Sequence, residues 1–278
     1  MRFIKMQGTG NDYVYVDAFR EKVENPSDLA QKVSHRHFGV GSDGLILINP
    51  AAGADAEMDM YNADGSRSEM CGNGLRCVAK YVHDTYAPGK DTLKLLTGAG
   101  LLSATIVERD DQGHASRVQL DMGAPIFRGL DIPTVFDEPE VFRKVIEVAG
   151  RKLEFSSVSM GNPHCVIYVE DVTTFPVTEV GPLIEHHSWF PRRVNVEFVQ
   201  VISPSEAIQR TWERGAGETW ACGTGAAAVS VVGRKLGLTG DRLTLHLLGG
   251  DLLLEYPGQG SVKMTGDAVE VFRGDFPA

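Results

Sequence analysis

Two cysteines in this chain are each followed by Gly-x-Gly and then by small or apolar residues, in "MCGNGLRCVAKYV" at 70–82 and "ACGTGAAAVSVV" at 221–232. The chemistry this spacing offers is acid–base work beside a carboxylate. If each glycine pair opens a helix, backbone N–H groups with no intrahelical partner point out of its start, where roughly half a unit of positive charge attracts an anion. Glycine lets a ligand come close to that backbone. The same field favours thiolate over thiol and is expected to lower each cysteine's pKa from its usual value of about 8.5. Two such thiols on opposite sides of one carbon suit a racemase or epimerase. One removes the α-proton from one face and the other delivers a proton to the opposite face, while oriented amides at the carboxylate stabilise the carbanion.

The two remaining cysteines do not fit that role. Cys77 lies six positions after Cys71, about 240° around a helix, and Cys165 sits in the apolar run "HCVIYV", so both read as small buried hydrophobes. No Cys-x-x-Cys or paired-histidine spacing accompanies Cys71 or Cys222, so no metal site is expected, and His35, His37, His186 and His187 read as surface residues. Neither Gly-x-Gly completes a Walker A or a dinucleotide fingerprint, and no lysine stands out as a Schiff-base former. The expected cofactor set is therefore empty.

The elements that must position the thiols repeat as well. Cys222 lies 151 residues after Cys71, and the same offset carries Gly10-Asn11 onto Gly161-Asn162, Gly44 onto Asn195, and Tyr61-Asn62 onto Trp212-Glu213. Landmarks that hold one register over some sixty residues indicate an internal duplication. With "LDMGAP" at 120–125 and "KMTGDA" at 263–268 as matching strand ends, the halves are expected at 1–122, with 267–278 returning to it, and at 123–266. Ligands favour the cleft between two such domains, where Cys71 and Cys222 would approach one molecule from opposite sides. Short alternating or β-branched runs between turn residues read as strands, "SVKMTGDAVEVFRG" among them. Helices are expected at 26–37, 71–85, 139–149 and 222–236, and more weakly near 181–187. The fold class is therefore α+β, two pseudo-symmetric domains of mostly antiparallel sheet. The apolar run "GAAAVSVVG" suits a helix buried on all sides, whereas Arg76 and Lys80 in "LRCVAKYV" must reach solvent or partners.

Composition narrows the class of ligand. The 278 residues are 42% hydrophobic and 23% charged, with a formal net charge of −10 and lysine and arginine scattered, so a phosphate backbone would be repelled. The N-terminal residues lack a secretory signal and no window approaches the roughly twenty apolar residues of a membrane span. Four cysteines are too few for a disulfide scaffold, and the expected location is the cytoplasm. A small, nearly neutral molecule is the expected partner, with no nucleic acid and no membrane.

Taken together, "YNADGSRSEMCGNGLRC", "MGNPHCVIYV", "RRVNVEF" and "WERGAGETWACGTGAAA" resemble the diaminopimelate epimerases, from "GTGNDY" to "MTGDA" and so over nearly the whole chain. The proline racemases also pair cysteines but typically carry histidine where this chain has Asn73, and the phenazine-pathway isomerases lack the thiol pair. The resemblance implies a pyridoxal-independent isomerase of lysine and cell-wall precursor synthesis, a homodimer, that interconverts LL- and meso-diaminopimelate. It implies that Cys71 and Cys222 are the proton donors and acceptors and that the amides of Gly72, Asn73, Gly223 and Thr224 hold the reacting carboxylate. Asn11, Asn62, Asn162, Asn195, Glu213 and Arg214 would hold the other amino-acid end, with His164 supporting the thiols or the substrate amine. It also implies strands curled around a central helix opened by each cysteine. Gly44 departs from the pattern, since some members carry a side-chain amide there. Two other readings stay open at this point: racemisation of a different amino acid, and a non-catalytic ligand-binding or thiol-redox module.

Overall fold

A computed structural model describes residues 1–277, and by internal packing the chain divides into two compact units, Met1–Asp121 with the segment from Thr265 onward, and Met122–Met264. The first unit contains β1 (Arg2–Gly8), β2 (Asn11–Asp17), α1 (Pro26–Ser34), β3 (Gly44–Asn49), β4 (Ala56–Asn62), β5 (Arg67–Ser68), α2 (Gly72–Tyr86), β6 (Thr92–Thr97), β7 (Gly100–Arg109) and β8 (Ala115–Asp121). The second contains β9 (Val141–Val148), β10 (Arg151–Ser159), β11 (Pro163–Tyr168), α3 (Val177–Glu185), β12 (Asn195–Ser203), β13 (Glu206–Glu213), β14 (Gly217–Thr219), α4 (Gly223–Leu236), β15 (Arg242–Leu247) and β16 (Gly250–Glu255). β17 (Lys263–Asp267) leads back into the first unit, where β18 (Val269–Asp275) pairs with β1. The run expected as one strand from Ser261 breaks at Ala268, which is buried between β17 and β18.

Strand pairing repeats residue for residue. Parallel β2 and β3 set Tyr13 beside Gly44, and parallel β11 and β12 set His164 beside Asn195. Antiparallel pairing puts Leu45 opposite Tyr61 in one unit and Val196 opposite Trp212 in the other. Met60 faces Ser68, and Thr211 faces Thr219. Beyond the central helix the offset falls from 151 to 150: Thr92 faces Thr105, and Arg242 faces Glu255. A shared register over this many pairs is what a duplicated unit requires, because a slip of one residue would turn every side chain to the other face.

In each unit the helix opened by cysteine is the centre. α2 packs against β1, β2, β4, β6, β7 and β8, and α4 against β10, β11, β12 and β16, which only a sheet curled around its helix allows. Residues Gly225 to Gly233 of α4 are all buried, as their small and apolar character requires. In the first unit α1 covers a cluster of Val14, Val16, Leu45 and Leu47, and in the second α3 covers Val196, Phe198 and their neighbours.

Four helix expectations shift at their ends: α1 stops at Ser34, α2 and α4 each begin one residue inside their cysteine, and α3 starts at Val177. One is wrong in kind. Where a helix is expected at 139–149, Val141–Val148 form strand β9, hairpinned to β10 through Ala149 and Gly150, both in the left-handed region at φ 49° and 69°. A two-residue turn of that hand matches strand twist, and Val141, Ile146 and Val148 turn inward, so pairing outweighs the helical spacing of the acidic and basic residues.

Gly44 opens β3 with the backbone oxygen of Tyr61 pressed against it, so a Cβ there would collide with β4. No side chain fits, which accounts for the missing amide at this position. Gly44→Ala should cost about 1–3 kcal/mol through overpacking and lower the melting temperature; a melting temperature at or above the parent's would contradict this geometry.

Candidate active site

Both candidate thiols sit at N-caps. Cys71 (φ −136°, ψ 117°) and Cys222 (φ −123°, ψ 108°) are extended, and their carbonyls accept the first helical bonds from Leu75 and Ala226 at 2.8 and 2.9 Å. The amides of Gly72 and Asn73, and of Gly223 and Thr224, therefore lie ahead of the first intrahelical bond, at the positive end of each helix. Close packing explains the second glycine of each motif. A Cβ on Gly74 would run into Ile46 Cδ1, and one on Gly225 into the carboxylate of Glu197.

In the first unit a short relay positions Cys71. Its sulfur accepts from the Gly74 amide at 3.4 Å and donates to Asn11 Oδ1 at 3.2 Å, while Asn11 Nδ2 donates to Asp43 at 2.6 Å. Arg36 bonds both Asp43 and Asp12 at 2.9 Å, tying the loop before β3 to β2. Asn11 follows the two-residue turn Thr9-Gly10, whose φ angles of 54° and 77° are left-handed. A β-branched residue is costly there. The buried Arg76 of α2 reaches back to hold it, donating to Thr9 Oγ1 at 2.7 Å. Arg76 thus finds partners rather than solvent, and Lys80 does likewise with Asp84 and the Ala115 carbonyl. Asn73 is buried, with an unpartnered Oδ1, and Asn62 donates to Ser66 Oγ at 2.9 Å.

In the second unit the surroundings are charged. His164 is fully buried, with Nδ1 2.8 Å from Glu197 and Nε2 3.0 Å from Asn162 Oδ1. Glu197 also accepts from Gln209 at 2.7 Å and Thr211 at 2.6 Å, a set of three donors that fixes the carboxylate. Glu213 accepts from Thr219, and burial, with Glu197 nearby, raises its pKa. Cys222 lies 3.6 Å from Thr224 Oγ1. Contrary to the expectation of a lowered pKa, burial first and then the carboxylates Glu213 and Glu197 hold the Cys222 thiol well above its usual range. Desolvation and like charge outweigh the helix start there. Asn195 and Glu185 fix the loop after β13: Arg214 N donates to Asn195 Oδ1 at 2.9 Å and Gly215 N to Glu185 at 3.0 Å. The exposed Arg214 guanidinium is left with the Arg192 carbonyl at 3.2 Å and can take a carboxylate.

Glu185, Glu197, Gln209 and Asp43 escaped the sequence reading. Only Glu197 carried a signal, being a carboxylate inside the apolar run "VNVEFV", two positions from Asn195 and so on its strand face. Among the described residues no group of three His, Cys, Asp or Glu side chains is arranged to hold a metal ion, and no helix is long and apolar enough to cross a membrane. Cys77 and Cys165 are wholly buried, and burial pushes the Cys77 pKa to about 11. Iodoacetamide should therefore leave both unmodified in the native protein at mildly alkaline pH and reach them only after denaturation; native labelling of either would contradict the packing of α2 and β11.

Comparison with known proteins shows the family. The family model for diaminopimelate epimerase matches residues 3–128 and 156–271. Among curated relatives, the diaminopimelate epimerase of Acetivibrio thermocellus is 50% identical over 277 residues, covering 99% of this chain and 98% of its own. That of Leptospira biflexa is also 50% identical over 277 residues, at 99% and 98%. The corresponding enzyme of Methanococcus maripaludis strain C5 is 46% identical over 278 residues, covering 99% of both chains. Among solved structures, a probable proline racemase from Agrobacterium radiobacter K84 superposes with a TM-score of 0.69 at 15% identity, over 99% of this chain and 92% of that one. A phenazine biosynthesis protein of Bacillus anthracis superposes at 0.70 and 15%, over 100% and 99%. At that identity the likeness is one of fold.

Proposed function

The chain belongs to the diaminopimelate epimerase family and interconverts LL- and meso-diaminopimelate, and on that premise we propose that it does so by a two-base transfer between Cys71 and Cys222. The observation that carries the proposal is the repeated N-cap: each unit presents one sulfur beside the amides at the positive end of a buried helix. One thiolate takes the α-proton, the other thiol returns a proton from the opposite face, and each direction of reaction exchanges the roles. The amides of Gly72, Asn73, Gly223 and Thr224 hold the reacting carboxylate, where oriented dipoles stabilise the charge that builds as the α-proton leaves. Without such help the proton is too weakly acidic for a thiolate to remove at a useful rate.

The polar residues that differ between the halves recognise the distal end of the substrate. Arg214 takes its carboxylate, and Glu213 with the amide oxygens of Asn11, Asn62, Asn162 and Asn195 accepts from its ammonium. His164, held by Glu197, supports this end of the site. Such a constellation favours a substrate with a second amino-acid group over racemisation of a simple amino acid. Cytoplasmic action and a homodimeric state belong to the same proposal. The few cysteines of a reducing compartment support the first, and the exposed Val271 and Phe272 of β18 support the second.

Cys71→Ala and Cys222→Ala should each lower interconversion by at least about a thousandfold, the scale of a lost general acid or base. Turnover near the parent rate by either variant would remove the two-base mechanism. Activity should also survive dialysis against a chelator without added pyridoxal phosphate, and restoration that required either would contradict the proposal.

A further inference from the structure

The duplication lets each residue of one half be compared with its twin in the other, and the comparison isolates a carboxylate at the end of α3. Glu185 closes that helix, and 151 residues earlier the closing residue of α1 is Ser34. Both are buried, but they hold different things. Ser34 Oγ accepts from the Ser42 hydroxyl at 3.1 Å. Both oxygens of Glu185 are engaged instead: Oε2 accepts from the Trp212 indole at 2.8 Å and Oε1 from the Gly215 amide at 3.0 Å, with Arg193 Nη1 3.6 Å away.

Packing of helix on strand does not call for this carboxylate. In the first unit α1 covers β3 and β4 with a serine at its end. There the hydroxyl of Tyr61, the counterpart of Trp212, turns to Asp59 at 3.0 Å, and Ser27 ties the turn after β4 by bonding the Gly65 carbonyl at 2.8 Å. A buried carboxylate is costly, so its presence in one half implies a demand that its twin lacks. What differs is the residue the turn carries: Ala63 in the first unit, Arg214 in the second.

Glu185 bears on Arg214 from both ends. Its bond to Gly215 N fixes the residue that follows Arg214, while Asn195 Oδ1 takes the Arg214 amide at 2.9 Å. The Arg214 guanidinium rests on the Arg192 carbonyl at 3.2 Å, and the next residue, Arg193, directs its side chain at Glu185. An exposed turn with a long side chain otherwise samples many orientations, and a bidentate contact with a carboxylate needs one. We propose that Glu185 is a positioning residue: its carboxylate, anchored to Trp212, locks the turn after β13 so that Arg214 is held ready for the distal carboxylate of the substrate. The ordering is then done on folding rather than on binding, which leaves more of the contact as affinity. This inference rests on the reading of Arg214 as the group that takes that carboxylate.

The test is steady-state kinetics of the full chain with LL-diaminopimelate. Glu185→Gln keeps the shape, but one of its two terminal atoms becomes an amino group that cannot accept, so the indole or the turn is released. It should raise KM about tenfold and leave kcat within about twofold of the parent. Arg214→Met should raise KM at least as much, and adding Glu185→Gln to it should raise KM no further, because nothing is left to position. A carboxylate that served only the fold would lower the melting temperature without moving KM, or would act independently of Arg214. A parental KM in Glu185→Gln, a fall in kcat with KM unchanged, or an added rise in KM in the double variant therefore overturns the proposal. If Arg214→Met abolishes measurable turnover, the split between KM and kcat in Glu185→Gln decides. If Glu185→Gln does not fold, hydrogen exchange at the Gly215 amide of the parent decides: protection of at least about tenfold is expected, and the rate of an unstructured peptide overturns the proposal. A parental KM in Arg214→Met refutes the reading of Arg214 itself, a result distinct from a parental KM in Glu185→Gln alone.

Discussion

A cysteine at a helix N-cap places three things at one point: a sulfur that can carry a proton, unpaired amides that can hold a carboxylate, and the positive end of a helix dipole. Nearly every other feature of each unit follows from holding that point at the start of a helix that is itself enclosed. The sheet curls because the helix must be covered on several sides. Glycine at 74 and 225 leaves room for the strand side chains Ile46 and Glu197, which press against the first turn. The hairpin before β2, strained at Thr9 and held by Arg76, sets Asn11 against the sulfur of Cys71.

Duplication explains why the arrangement occurs twice, and divergence explains why the halves are not interchangeable. The pairing register is common to both, but Tyr13 and Ile46 in one unit correspond to His164 and Glu197 in the other. The backbone register is kept between the halves while the side chains vary. Buried charges are costly, so each survives only with fixed partners: three donors for Glu197, a hydroxyl and a carbonyl for Arg76.

Much of this was legible in the sequence because it is carried by spacing. The repeated Cys-Gly-x-Gly marked both helix starts, and the offset of 151 residues matches the strand register, since insertions within a curled sheet would disrupt pairing. What the sequence concealed depends on contacts between distant residues. Asp43 matters through Asn11, and Glu185 through the backbone of Gly215; neither has a local pattern to announce it. Strand β9 was masked by charged residues at helical spacing, and only its partner β10 decides the matter. The raised pKa of Cys222 reverses the local expectation because burial comes first and because Glu213 and Glu197, on strands β13 and β12, are brought against it by the sheet rather than by the helix it caps.

The central claim is that two thiols serve opposite faces of one carbon. It is tested most directly by incubating LL-diaminopimelate with the protein in D₂O and following deuterium at the α-carbon during the first turnovers. Two bases predict that meso product carries deuterium at the inverted carbon from its first appearance, while the remaining LL substrate keeps its hydrogen. Deuterium entering unreacted substrate as fast as product would show that a single base serves both faces, and would contradict the account.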